Sequence, residues 1–142
     1  MSVNLYFNPV QQQGRWELQK LPMIASVAMT EGGAVYAVGD GTHTKVTNST
    51  TKFRGILVEV IVATDDDYAT SGKLKGVWVP KSPEALAEFA VGAGTFTVAD
   101  EGKSVKFNDY QGLAVDTAGI QAEIVKYKSS TRGTCRFNLD IV

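Results

Sequence analysis

The chain has 142 residues, enough for one domain with a core of its own. Its 14 Lys and Arg nearly cancel its 15 Asp and Glu, so the net charge of −1 supplies no basic field for nucleic acid and no polybasic patch for a membrane. A lone Cys135 excludes an internal disulfide and suits a reducing compartment, the longest apolar run (56–63) is far short of a bilayer span, and the N-terminus lacks the order of a signal peptide.

Residues 1–22 read as a segment apart. Leu5, Tyr6, Phe7, Val10, Trp16, Leu18 and Leu21 stand among amides, broken by Pro9 and Gly14, and residues 11–14 read as a flexible joint. The spacing fits neither helix nor strand for long, yet three aromatics are too many for a segment that stays in water. Either the segment folds onto its own domain or it is an extended arm that orders against a partner. We read it as a docking arm, because arms add strands or plug grooves at little topological cost. Its interface residues are then Leu5, Tyr6, Phe7, Val10, Trp16 and Leu18, and residues 23–142 form the β-domain.

From residue 24 the chain reads as short strands. Residues 24–28 and 34–38 are candidates, and Gly39-Asp40-Gly41 marks a tight turn. Residues 43–52 are Thr, Asn, Ser and Lys around Val46, which suits an edge or an exposed loop. The stretch 53–63 is the expected centre. Ile56, Val58, Val60 and Val62 make one β-branched face, and Leu57 and Ile61 make the other apolar apart from Glu59. A strand apolar on both faces needs cover on both sides, and with few helices expected, Leu57, Glu59 and Ile61 are read as a subunit–subunit interface. The alternative is a central strand of an ordinary monomeric sandwich.

Asp65-Asp66-Asp67 lacks the alternation, the sixth-position Gly and the closing Glu of a hand-type calcium loop, and reads as solvated. Residues 74–79 form a strand with Val77 and Val79 on one face and Leu74 and Trp78 on the other, ended by Pro80. Ser82 as N-cap, Pro83 at the first position and Glu84 near the positive dipole end predict one short helix near 83–91, closed by Gly92 and Gly94. Strands follow at 95–98, 105–107, 112–115 and 120–124. In 134–141, Cys135, Phe137, Leu139 and Ile141 alternate strictly with Thr134, Arg136, Asn138 and Asp140. About eight strands and one short helix make a small β-barrel or sandwich.

Residues that carry chemistry are few. His43 has no nearby Cys and reads as a solvated turn residue, while Cys135 reads as a small buried hydrophobe. No glycine loop opens a helix after a strand, Gly-x-Ser-x-Gly is absent, and nothing argues for an enzyme or a cofactor. The aromatics are spread over many elements, mostly in phase with core faces, which leaves glycan binding a minor reading.

The run TEGGAVYAVGDG (30–41), a polar spacer and then FRGIL (53–57) resemble the lambda-type head decoration, or capsid cement, proteins of tailed bacteriophages. GTFTVADEG (94–102) is similar to a later strand and turn of related phage head proteins. The resemblance implies an all-β, β-tulip-like fold with an N-terminal arm and a non-enzymatic role. It also implies a homotrimer on the outer capsid surface of a virion, made in the host cytoplasm, that clamps neighbouring major capsid proteins. Tail-tube or head-fibre base subunits, also all-β and self-assembling, are the competing reading. On the arm reading, removing residues 1–21 abolishes shell binding and leaves a folded β-domain.

Overall fold

The computed structural model describes residues 6–11, 15–50 and 52–139 of the chain. Strands β2 (Trp16–Met23), β3 (Ala34–Ala37), β4 (His43–Lys45), β5 (Gly55–Leu57) and β6 (Lys73–Pro80) close into a barrel in the order β2-β4-β3-β5-β6. A second sheet runs β1-β7-β11-β10-β8-β9. It is built from β1 (Phe7–Pro9), β7 (Ala87–Ala93), β8 (Ser104–Asp109), β9 (Gly112–Ala118), β10 (Ala122–Ser129) and β11 (Arg132–Phe137). A short parallel pairing of β7 with β9 brings this sheet round on itself. The all-β expectation holds. The only helical turn among the described residues is the 3-10 turn Val98–Asp100.

Two cores follow from alternation along the strands. Leu21, Met23, Met29, Val35, Leu57, Ile61, Val77 and Val79 fill the barrel. Phe7, Phe53, Phe89, Phe107 and Phe137 fill the second sheet and the seam where Ala34 and Ile56, on the barrel's outer side, face it. At that seam the Phe53 and Phe137 rings stack at 3.8 Å. Burial alternates along β11 as its sequence requires, with Cys135 and Phe137 inward and Thr134 and Arg136 outward. Asp140 and Ile141 lie outside the described residues.

Four expectations need correction. The helix near 83–91 is absent. Ser82 closes a single turn, accepting from the Ala85 N–H, and residues 87–93 are strand β7, paired with β1, β11 and β9. Ala85, Ala87 and Phe89 are buried while Leu86, Glu88 and Ala90 are half-buried, a period of two that overrides the helix-start chemistry.

The long central strand is also cut short. After Leu57 the Glu59 carboxylate takes the Gly76 N–H that a strand carbonyl would have taken, the chain swings out, and Ile61 rejoins only through a bridge to Met29. Of residues 95–98, Phe96 is a buried plug against Phe89 and Tyr127, and the main chain turns because the Asp100 carboxylate accepts the Thr97 N–H.

The leading segment belongs to the fold, which is the fourth correction. β1 pairs with β7 along Phe7↔Phe89, and β2 pairs with β6 along its whole length, from Trp16↔Pro80 to Met23↔Lys73. A boundary at residue 22 therefore falls inside β2. A chain without residues 1–21 loses β1 and most of β2, and with them the closure of the barrel.

Candidate interaction surface

Side chains alternate along β2 and β6, so Leu18, Lys20 and Pro22 share the barrel's outer face with Leu74, Gly76 and Trp78. The register sets Leu18 opposite Trp78 and Pro22 opposite Leu74. Leu18, Leu74 and Val60 are 54%, 59% and 53% exposed, the last because the chain has left the sheet after Glu59. Gly76 leaves room between them. A methyl group there would lie 3.3 Å from Glu59 Oε2, 3.6 Å from the Val58 Cβ and 3.7 Å from Leu18 Cδ1, so Leu18, Val58 and the Glu59 carboxylate gather round this glycine on one outer face. Its charged members neutralise each other. Glu59 Oε2 lies 3.1 Å from Lys20 Nζ, and its carboxyl is held below the usual carboxylate range, chiefly by the Gly76 N–H and further by Lys20.

The expected arm residues divide. Phe7 and Trp16 are buried in the chain's own core, and the Trp16 Nε1–H donates to the Leu86 carbonyl at 3.0 Å. Tyr6 and Val10 are half-buried, the Tyr6 carbonyl accepting from the Ala90 N–H and the Val10 N–H donating to the Leu86 carbonyl. Arg15 and Glu84 tie the same segment down with an ion pair at 3.2 Å. Leu18 alone of the described set is largely exposed, and Leu5 lies outside the described residues. The signal that places this segment inside is the burial of Trp16, Leu21 and Met23 along a strand, obscured in the sequence by polar residues on the outward positions.

The expected subunit–subunit set fails as an interface. Leu57 and Ile61 are sealed inside the barrel beside Val35 and Val77, and Glu59 is engaged by Gly76 and Lys20. At Ile56 and Leu57 both faces of the strand are covered from within, Leu57 by the barrel core and Ile56 by the second sheet. What sequence reasoning missed is that this chain supplies its own second layer.

The chemistry-bearing residues are spread apart. His43 is buried, against expectation, and its Nδ1 lies 2.8 Å from the Pro22 carbonyl at the β2–β4 junction. Since that carbonyl can only accept, Nδ1 carries the proton. Cys135 is fully buried and burial pushes its thiol well above the usual range. Asp67 pairs with Lys75 at 3.0 Å and Asp65 accepts the Val62 N–H, so the acidic run is tied into its own loop. Among the described residues no three His, Cys, Asp or Glu side chains converge as a metal site, and no helix is long and apolar enough to cross a membrane. Every described aromatic residue is buried or half-buried, Tyr6, Tyr36, Tyr68, Trp78, Tyr110 and Tyr127 being the half-buried ones. No family model matches the chain, and no curated protein is measurably similar to it.

Proposed function

We propose that this chain is a capsid decoration protein that assembles as trimers on the outer surface of a viral shell and braces neighbouring major capsid proteins. The observation that carries this reading is the exposure of three large aliphatic side chains, Leu18 and Leu74 on the β2–β6 wall of the barrel and Val60 just after Glu59. The sequence resemblance of 30–41 and 53–57 to phage decoration proteins supports it from a separate direction. The barrel is closed, so its strands offer no edge for strand addition, and contact with a neighbour runs through side chains. Three large exposed aliphatics offer together about a few hundred Å² of apolar surface, too little for a tight standalone interface. Many copies on one shell raise the effective concentration and make such weak contacts sufficient.

Co-sedimentation with expanded empty shells of the same virion tests the reading. The wild-type chain is expected to pellet with shells, and Leu18→Glu with Leu74→Glu to stay in the supernatant while remaining folded. Wild-type protein that fails to pellet at tens of micromolar would end the proposal.

A further inference from the structure

The outer face of the second sheet has a character unlike the rest of the molecule. Lys106 on β8, Lys126 and Lys128 on β10, and Arg132 and Arg136 on β11 occupy outward positions there, against Glu88, Glu123 and Asp116 among the described residues, with Lys128 and Arg132 both ion-paired to Glu88. In a chain whose net charge is −1, this concentrates basic side chains on one face.

A cleft of about 340 Å³, a volume typical of ligand sites, opens at the end of that face. Its floor is a cross-strand row, since Glu123 pairs with Ser104 on one side and Arg136 on the other. Asn138 adds a further polar wall, and Ile120, 64% exposed, and Pro83 add apolar ones. Arg136 is incompletely satisfied. Its Nε lies 3.2 Å from Glu123 Oε1, but off the hydrogen-bond axis, so that buried N–H has a charge partner and no hydrogen-bond acceptor. That nitrogen is shielded, but the Arg136 side chain is 41% exposed, and the outer part of its planar guanidinium is open to a second carboxylate.

We propose that this cleft and the basic face around it bind carboxylate side chains of an acidic protein segment. Glu88 and Glu123, set among the basic residues, would repel a continuous phosphate backbone, whereas separate carboxylates can sit between them. The apolar walls at Ile120 and Pro83 suit the methylenes of a Glu side chain. The cleft and the Leu18–Leu74 face lie on different sheets, so the outcome here is independent of the shell-binding test.

The test is fluorescence anisotropy of labelled hexaglutamate against the full chain at low salt. Saturable binding is expected, weakened about tenfold by Arg136→Gln and as much by Arg136→Lys, which keeps the charge and loses the fork. Lys126→Gln, at an exposed position that leaves the core untouched, should weaken it two- to threefold, and Glu123→Gln should tighten it by removing the competing carboxylate. Arg136→Lys or Arg136→Gln binding as well as wild type, with an unchanged melting curve, would overturn the proposal. So would displacement of the peptide by an equal concentration of a short DNA duplex, which would identify a polyphosphate surface instead.

Discussion

Replacing Phe7 by Ala separates a built-in leading strand from an arm held out for a partner. The Phe7 ring has no exposed surface and meets Phe107 and Phe137 edge-on at centroid distances of 6.1 and 5.4 Å. Phe→Ala at a packed core site costs about 3–5 kcal/mol, and losing two edge-on ring contacts places this site in the middle of that range or above it. A loss of about 4 kcal/mol is a large fraction of the roughly 5–15 kcal/mol that holds a domain together. In a chain of this length it should lower the melting temperature by about 12 °C. Urea unfolding followed by Trp fluorescence reads the change directly, with the midpoint falling and the slope constant. Leu18→Ala is the control in the same segment, and at 54% exposure it should cost no more than about 0.5 kcal/mol. If Phe7→Ala is as mild as Leu18→Ala, the leading segment is not part of the core and the corrected fold is wrong.

Further outcomes follow from single contacts. Gly55→Ala should prevent soluble expression, because a Cβ there would fall 2.5 Å from the Trp78 carbonyl oxygen and into the Val77 side chain, where the barrel wall has no room to give. Cys135 should react with a thiol reagent only at the rate of unfolding, since its thiol is buried and held protonated; fast labelling of the native protein would contradict that placement. Glu88 is held below the usual carboxylate value of 4.5, first by its hydrogen bond from Lys128 at 2.6 Å and also by the charges of Lys128 and Arg132. A depressed carboxylate stabilises the fold above its unfolded pKa and ceases to do so as pH falls through the folded one. Glu88→Gln should therefore cost roughly 0.5 kcal/mol at pH 7, and its melting curve should converge on that of wild type as pH drops below 4.5. A gap that persists at pH 3 would assign the loss to packing.

The strands whose apolar residues alternate were legible. Val77 and Val79 against Leu74 and Trp78, and Cys135 and Phe137 against Thr134 and Arg136, lie as their spacing requires. Gly39 and Gly41 make the expected turn, at φ of 110° and 96°. What failed did so where two local signals competed or where a partner element lay far along the chain. Ser82-Pro83-Glu84 is sound helix-start chemistry, yet the period of two from Ala85 to Phe89 decides, because β1 and β11 supply ladders on both sides of β7. Leu57 and Ile61 looked like surplus apolar surface only because nothing local announces that Met29, 28 residues before Leu57, would cap the barrel interior. The exposed face itself could not be read from sequence. Leu18 and Leu74 sit 56 positions apart and come to one outer face through the β2–β6 register, opposite Trp78 and Pro22, while Val60 is exposed because Glu59 breaks the strand.

Electron cryomicroscopy of shells saturated with this protein tests the assembly role most directly. Three copies around each local three-fold axis are expected, with the β2–β6 wall carrying Leu18 and Leu74 turned onto a neighbouring subunit. Bare shells at saturating protein, or rings of six and open tubes formed by the chain alone, would contradict it.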